Sequence, residues 1–368
     1  MKICFLADAG HVNTQNWVRY FSDCLGHDVY LLSFNKAGCD LGKVKIIYLH
    51  SLFYETKWRY LFSILKTKKI VKSLNPDILV AYRPSSYGFL ASCIGFKPLV
   101  IALQGQHLVY PATSKLKRIF AIYALKKADI ISSWGQHMTD DLIHAGIHPE
   151  KIRTYPRGVR IYSNNSSDQR SKKECRPLMI STRSLRPGYN FQQIMASLPI
   201  IVREIKEFSY IVAGDGEDRK RLETMAAGLG VQDYVKFIGK QEYDTLMQLL
   251  NSCDIYVSAV PTDGVSSSLL EAFACGIFPI VPDNVANRLW IKDGVNGFLF
   301  PLNDPKTLAE KIILAVKAEE LRKKARDMNL QIAKENADWD RNMARMEHDY
   351  LKLIKERKSL PKDAPVFR

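Results

Sequence analysis

Two carboxylates and a run of serines between residues 253 and 282 are the groups in this sequence with the clearest chemical potential. Asp263 and Glu271 stand eight positions apart, and Gly264 and Ser266 to Ser268 lie between them. Serines at such a place favour a helix start, where unpaired backbone N–H groups carry a partial positive charge. A glycine loop that leads into a helix start predicts a site for a phosphate or diphosphate.

The flanking sequence indicates the elements that hold this loop. Residues 254–260 form a short apolar, β-rich run typical of a buried strand, and residues 261–264 are a turn signal. A helix is predicted through Leu269 to Ala274, ending at Gly276, and a second buried strand follows over 277–281. The loop therefore opens at the carboxyl end of a strand, where open α/β sheets bind ligands.

A purely structural role for Glu271 is the alternative. Ser268-x-x-Glu271 also fits a capping box, in which the glutamate side chain bonds the backbone at its own helix start. The local pattern leaves the two interpretations open.

The same stretch resembles the nucleotide-sugar motif of glycosyltransferase family 4, a retaining group with the GT-B fold. The family motif is E-G-F-G-x-x-x-x-E-A-x-A-x-G; Asp263-Gly264 stands at its start and Glu271 to Gly276 at its end. The resemblance implies that Glu271 holds the ribose of the donor nucleotide and that Asp263 lies near the donor sugar. It also implies donor contacts for the loop residues Gly264, Val265, Ser266 and Ser267. The family has Glu where this chain has Asp263, and this shorter side chain bears on the choice of donor sugar.

A loop over residues 182–190 supplies candidate cations. In the family an Arg and a Lys of this loop bind the donor diphosphate, and Arg183 matches the Arg. Tyr189 or Asn190 occupies the place of the Lys, so Arg186 is the predicted substitute. The alternative is that both arginines are solvated residues of a surface loop.

Glycines follow the next predicted strand, over residues 210–213. The succession Gly214-Asp215-Gly216-Glu217, Leu229-Gly230 and Val235-x-Phe237-x-Gly239 is typical of the donor domain of family 4. Glycine lets a backbone approach a ligand closely, so Gly214 is predicted to lie against the nucleotide.

The first half of the chain offers looser matches to the family. Gly10 stands in the first strand–helix loop, which in GT-B enzymes often carries paired glycines near the donor phosphates; a single-glycine turn is the alternative. Gln104 and His107 replace the His and Asp that often face the donor after a later strand. His107 is predicted to bond an acceptor hydroxyl and to act in catalysis, and a histidine satisfied within the fold is the alternative.

The resemblance covers roughly residues 1 to 355 and implies the whole architecture. We expect an α/β GT-B fold with two Rossmann-like, doubly wound domains facing a cleft. The acceptor-side domain spans residues 1–165, a polar linker follows over 163–173, and the donor domain spans 175–340. Residues 341–368 are predicted to form a terminal helix and tail that pack back on the first domain.

Composition narrows the class of protein and its partners. The sequence has no run of 18 apolar residues and no signal-peptide pattern at its start, and its seven cysteines are scattered without a C-x-x-C pair. These features predict a cytoplasmic protein with reduced thiols.

The net charge is +15, and the first 170 residues hold 23 Lys and Arg against 11 Asp and Glu. Such a basic half suggests an anionic partner, for example lipid headgroups at the inner face of the cell membrane.

One basic stretch, residues 57–72, has two interpretations. Trp58, Leu61, Phe62 and Leu65 recur at helical spacing among lysines, which fits either a helix lying in a membrane surface or ordinary packing in the core. The core interpretation is favoured, since an apolar stripe alone needs no other explanation.

Together these features predict a retaining glycosyltransferase that moves a sugar from a nucleotide diphosphate sugar to an acceptor hydroxyl. Polysaccharide or lipid-linked glycan synthesis is the expected setting, and the family requires no metal or other cofactor.

Asp338-Trp339-Asp340 is similar to a metal motif of another glycosyltransferase class, but its place at a helix start favours a cap. The alternative function is a catalytically inactive GT-B protein that binds nucleotide sugars. Nucleic-acid binding is disfavoured, because no basic stretch carries interleaved stacking aromatics.

Overall fold

The computed structural model describes residues 1–50, 59–103, 114–156, 158–161, 177–262 and 265–359. The chain divides into two compact units. Unit 1 comprises Met1–Tyr155 with Met343–Arg368, and unit 2 comprises Pro156–Asn342. The predicted linker over 163–173 lies outside the described residues.

Unit 1 is built on a seven-stranded sheet in which all paired strands are parallel, in the order β3-β2-β1-β4-β5-β6-β7. The strands are β1 Lys2–Leu6, β2 Asp28–Ser33, β3 Lys45–Tyr48, β4 Ile78–Tyr82, β5 Leu99–Ala102, β6 Ile130–Ser133 and β7 Ile152–Thr154. The helices are α1 Val12–Arg19, α2 Arg59–Phe62, α3 Ile64–Leu74, α4 Phe89–Ile94, α5 Lys115–Lys127 and α6 Gln136–His144. Wider helical turns over Tyr20–Cys24 and Arg83–Gly88 continue α1 and precede α4.

The central strands of unit 1 read as continuous apolar runs because both faces of the sheet are covered. Every residue of β4 and β5 is buried. Crossover connections between parallel strands are right-handed. The connections β3 to β4, β4 to β5 and β5 to β6 all run in one direction across the sheet, and the connection β1 to β2 runs in the opposite direction. Helices α3, α4 and α5 therefore lie on one face of the sheet, and α1 lies on the other.

Unit 2 repeats this architecture with six parallel strands in the order β10-β9-β8-β11-β12-β13. Its strands are β8 Leu178–Ser181, β9 Ser209–Val212, β10 Val235–Phe237, β11 Ile255–Val257, β12 Phe278–Pro282 and β13 Phe298–Phe300. Its helices are α7 Phe191–Glu204, α8 Arg219–Gly228, α9 Tyr243–Asn251, α10 Ser267–Ala274, α11 Val285–Arg288, α12 Pro305–Lys317 and α13 Glu319–Asn336. Strand order reverses between β8 and β11, so this pair is the topological switch point of the sheet.

The last helix, α14 (Trp339–Lys358), begins in unit 2, and its residues from Met343 onward belong to unit 1. Tyr350 is fully buried and stacks on Phe21, with ring centroids 5.7 Å apart. His27 Nε2 and Glu347 Oε1 lie 2.6 Å apart beside this stack. At the start of the helix, the N–H of Arg341 donates to Asp338 Oδ1 at 2.8 Å, which confirms the predicted helix cap.

The structure contradicts the core interpretation of the basic stretch 57–72. Leu61, Phe62 and Leu65 are exposed, and the buried residues in the described part of the stretch, 59–72, are Ser63, Thr67 and Val71. The Thr67 hydroxyl donates to the Ser63 carbonyl at 2.7 Å, so the buried Thr67 side chain has its hydrogen-bond partner within the same helical stretch. The stretch has the predicted helical period, but the buried face is shifted by two positions. Trp58 lies outside the described residues.

Among the described residues, no helix is long and apolar enough to cross a bilayer. The six cysteines in these ranges are free thiols. Likewise, the described ranges contain no group of three or more His, Cys, Asp or Glu side chains placed to hold a metal ion.

Candidate functional site

Two of the predicted site residues of unit 2, Arg183 and Ser266, meet at the switch point of its sheet. The loop that contains Arg183 follows β8, and the loop that leads into α10 follows β11. Because β8 and β11 are neighbours and parallel, both loops leave the sheet at the same edge and side by side. This is the position at which open α/β sheets form a ligand crevice.

Ser266 caps α10 at this edge. Its Oγ accepts the backbone N–H of Leu269 at 3.3 Å, and the helix runs over Ser267–Ala274. The cap satisfies one of the backbone donors at the helix start, and other N–H groups remain there for an anion. Val265 and Ser266 are buried, and Ser267 is half-buried.

The capping-box interpretation of Glu271 is wrong. With Ser266 as the cap, the third helical residue is Leu269, and Glu271 stands two positions further along α10. A glutamate closes a capping box only from the third helical position. Glu271 is half-buried in the second turn of α10.

Arg183 reaches the start of α10. Its Nη1 donates to Ser266 Oγ at 3.2 Å, and its guanidinium lies 5.1 Å from the centre of the Tyr189 ring. The structure therefore excludes the alternative that Arg183 is a solvated surface residue. A fixed guanidinium and a helix N-terminus meet at one point, and both attract the same oxyanion.

Asn190 stands where the family has a lysine, and it has a structural role instead. It takes a left-handed conformation (φ 56°) at the start of α7 and is buried. Its Nδ2 donates to Gln193 Oε1 at 2.7 Å, and that oxygen also accepts the N–H of Asn303 at 2.9 Å. This network ties α7 to the segment that follows β13, so residue 190 supplies no cation.

Gly214 has a packing role that its sequence context did not predict. A Cβ at this position would lie 2.1 Å from the carbonyl oxygen of Arg183. The loop after β9 therefore supports the backbone of the loop after β8 directly. The predicted contact between Gly214 and a nucleotide stays a prediction, and the position of Arg183 depends on this glycine.

We expect Gly214→Ala to destabilise unit 2 and to displace Arg183. The added methyl group must push the Arg183 carbonyl away, and overpacking of this kind costs about 1–3 kcal/mol. A urea titration measures the loss. Gly228→Ala is the matched control, since its Cβ would have no atom within 4 Å. Equal unfolding midpoints for the two variants would contradict the packing role.

No described contact joins the remaining predicted site residues to Arg183 and the start of α10. Arg186 is exposed on the loop after β8, and its role as a substitute cation stays a prediction. Gly10 lies in unit 1, in an exposed turn where its N–H donates to Asp8 Oδ1 at 3.0 Å, as the single-glycine alternative expects. Asp263, Gly264, Gln104 and His107 lie outside the described residues.

Sequence reasoning missed two groups at the carboxyl edges of the sheets. The Thr182 hydroxyl, directly after β8, is buried without a hydrogen-bond partner. His137, in the first turn of α6 after β6, is 6% exposed, and neither ring nitrogen has a partner. A polar residue just after a predicted strand was the available signal, but burial without a partner is visible only in three dimensions.

His137 predicts a pH dependence of stability. Burial lowers its pKa from the ordinary value of 6.5, and the nearby Asp141 and Asp140 oppose that shift only in part. The folded protein therefore binds fewer protons than the unfolded chain just below the ordinary pKa, so stability falls as the pH drops through that range. We expect His137→Gln to reduce this fall in urea titrations between about pH 8 and about pH 5. The exposed His148→Gln should keep the wild-type slope, and identical slopes in all three proteins would refute the assignment.

Comparison with known proteins agrees with the fold. A family model described as glycosyl transferase 4-like matches residues 2–134, and one described as glycosyl transferases group 1 matches residues 163–330. An uncharacterized glycosyltransferase of Methanocaldococcus jannaschii is 26% identical over 62% of this chain and 60% of its own length. The GalNAc-α-(1→4)-GalNAc-α-(1→3)-diNAcBac-PP-undecaprenol α-1,4-N-acetyl-D-galactosaminyltransferase of Campylobacter jejuni is 23% identical over 91% of this chain and 92% of its own length.

A solved structure shows the same fold. Anabaena HepE in complex with UDP matches with a TM-score of 0.77 at 16% identity, over 96% of this chain and all of the other. The likeness confirms the predicted fold class of two parallel-sheet α/β domains similar to GT-B proteins.

Proposed function

Because this chain belongs to the GT-B glycosyltransferases, we propose that it moves a sugar from a nucleoside diphosphate sugar to an acceptor hydroxyl, with retention of anomeric configuration as in family 4. The observation that carries the proposal is the meeting of Arg183 with the N-terminus of α10 through Ser266 Oγ, at 3.2 Å. Both groups lie at the switch point of unit 2, where a diphosphate would be bound.

The proposed chemistry depends on stabilising the leaving group. As the bond between the anomeric carbon and the diphosphate breaks, negative charge develops on the diphosphate oxygens. A guanidinium and backbone N–H groups that are already in place stabilise that charge without reorganising. Ser266 and Tyr189 hold the Arg183 guanidinium before the ligand arrives. The acceptor hydroxyl then attacks the anomeric carbon on the face the diphosphate leaves, and its proton passes to the departing diphosphate oxygen.

Glu271 and Asp263 complete the proposed donor site. Glu271 accepts hydrogen bonds from the ribose hydroxyls, and Asp263 lies near the donor sugar. Val265, Ser266 and Ser267 line the diphosphate. We propose no metal ion for this step, because positive charge at the diphosphate comes from Arg183, from Arg186 and from the helix start. A chelator should therefore leave the rate of transfer unchanged.

Two relatives support a proposal for the donor and acceptor classes. HepE binds UDP, so we propose a UDP-hexose or UDP-N-acetylhexosamine as donor. The Campylobacter enzyme is named for an undecaprenol-linked glycan, so we propose a polysaccharide or lipid-linked glycan acceptor, and His107 as the residue that contacts its hydroxyl. The reaction would take place in the cytoplasm, at the inner face of the membrane.

A donor screen tests the proposal against the alternative of a non-catalytic binder. The purified chain is incubated with UDP-, GDP- and ADP-sugars, with and without a chelator. Release of nucleoside diphosphate and the shift of the unfolding temperature are both measured. An enzyme should release nucleoside diphosphate slowly from its donor even without acceptor, because water replaces the acceptor. A shift without release would establish the binder, and neither a shift nor release would reject the donor site.

A further inference from the structure

Exposed apolar side chains are concentrated on one part of unit 1. In the described ranges sixteen large apolar side chains are exposed, and six of them lie on α2, α3 and α5. Phe62 is 60% exposed, Leu65 76% and Ile119 61%. The other three are Leu61, Leu116 and Tyr123. Single exposed apolar residues are common, but a cluster marks an interaction surface.

Helix α4 connects these three helices on one face of the sheet. Helix α4 packs against α2, α3 and α5. Phe89 of α4 contacts α5, with its ring centre 4.5 Å from that of Phe120 and 6.0 Å from that of Tyr123. On α5 the residues Ala121, Ala124 and Leu125 face the core, so Leu116, Ile119 and Tyr123 form a second apolar stripe that faces outward.

The charged residues of the helices that carry these side chains are all basic. Helices α2, α3 and α5 contain ten Lys and Arg residues and no Asp or Glu. The exposed cations of α3 are Lys66, Lys69 and Lys72, and those of α5 are Lys115, Lys117, Arg118, Lys126 and Lys127. We call this combination of exposed apolar and basic residues on α2, α3 and α5 the basic apolar face.

We propose that the basic apolar face docks unit 1 on an anionic lipid surface. The apolar side chains would enter the boundary between headgroups and acyl chains, and the lysines would meet the lipid phosphates. Charge decides between this occupant and a second copy of the chain. Pairing two copies of the same face would bring like charges together without a single carboxylate from these helices to offset them.

The position of the basic apolar face also suits the proposed function. This part of the inference rests on that function. A crossover helix runs antiparallel to its strands, so the N-terminal ends of α3 and α5 lie toward the carboxyl edge of the sheet. The most exposed residues, Phe62, Leu65, Leu116 and Ile119, lie at those ends. A membrane at this surface would bring a lipid-linked acceptor to the same edge of the sheet as the loops after β1 and β4.

The test is flotation of the full chain with vesicles of phosphatidylcholine alone and with added phosphatidylglycerol, at low salt. We expect binding only to the anionic vesicles. Phe62→Ser with Leu65→Ser should weaken that binding by about 10-fold or more, because two apolar side chains no longer leave water. Lys66→Glu with Lys69→Glu should weaken it by about 30-fold or more, since each lysine contributes about 1 kcal/mol near such a surface. Leu314→Ser and Lys324→Glu, both exposed in unit 2, are the matched controls and should bind as wild type.

Three results would overturn the proposal. They are a wild type that fails to bind anionic vesicles, paired variants that bind as the controls do, and sedimentation that shows a dimer lost in the paired variants. All altered side chains are exposed, and equal unfolding midpoints verify folding. Release of nucleoside diphosphate measured without vesicles reports on the proposed function separately. An active enzyme that ignores vesicles rejects only the docking, and an inactive chain that binds them rejects only the transferase.

Discussion

Arg183→Ala should lower kcat/KM for the donor by about 100- to 1000-fold, the largest effect we expect from any single substitution in this chain. The side chain is already held at the start of α10 by Ser266 and stacked on Tyr189, so its charge acts on the diphosphate without a rearrangement. Initial rates over a range of donor concentrations measure the change. The loss should fall on kcat as well as on KM, because charge on the diphosphate increases in the transition state.

Variants of two other kinds separate a role in binding from a role in folding. Arg183→Lys should recover only part of the activity, since an ammonium group lacks the planar fork that spans Ser266 and a phosphate. Arg203→Ala, which removes an exposed arginine of α7, should behave as wild type. If Arg183→Ala kept the wild-type kcat/KM while its unfolding midpoint dropped, Arg183 would be a structural residue only.

Glu271→Gln should weaken donor binding by about 10- to 100-fold, which is the loss expected for hydrogen bonds to a charged acceptor. Removing one hydroxyl from the ribose of the nucleotide tests whether Glu271 contacts that hydroxyl. Wild-type protein should bind UDP more tightly than 2′-deoxy-UDP, and in Glu271→Gln this difference should shrink toward zero. The four affinities, measured by calorimetry, form a double-mutant cycle between the carboxylate and the hydroxyl.

A matched carboxylate provides the control for that cycle. Glu310 is exposed on α12, and Glu310→Gln should leave both affinities and their difference unchanged. A Glu271→Gln protein that still discriminates between the two nucleotides as wild type does would show that the carboxylate does not hold the ribose.

The loop before α10 shows what local sequence can predict. Serines after a turn and before an apolar run specified a helix start, and the structure begins the helix with Ser266 as cap. The meeting of Arg183 with Ser266 follows from topology as well, because the first strand and the fourth strand of a doubly wound sheet are neighbours at the switch point. Spacing in the sequence could not decide whether Glu271 closes a capping box, since three successive serines could each have been the cap.

Other features could not be predicted because they depend on neighbours distant in sequence. The helical spacing predicted for residues 57–72 was right. The face toward the core, however, carries Ser63, Thr67 and Val71 rather than the leucines. Hydrophobicity alone assigns the larger side chains to the core, and here Thr67, whose hydroxyl donates to the Ser63 carbonyl, is buried instead. The packing role of Gly214 also depends on a distant neighbour. The atom that leaves no room for a side chain at this position is the carbonyl oxygen of Arg183, which belongs to another loop. Strands β3 and β7 were missed because they are short edge strands.

The division of α14 between the units has a consequence for synthesis on the ribosome. Every residue of unit 2 has been made once Asn342 is added, but the fully buried Tyr350, which stacks on Phe21, is added later. Domains generally fold in the order in which they emerge, yet here the half translated first is finished last. The face of Phe21 that Tyr350 covers therefore stays open in the nascent chain until unit 2 has been synthesised.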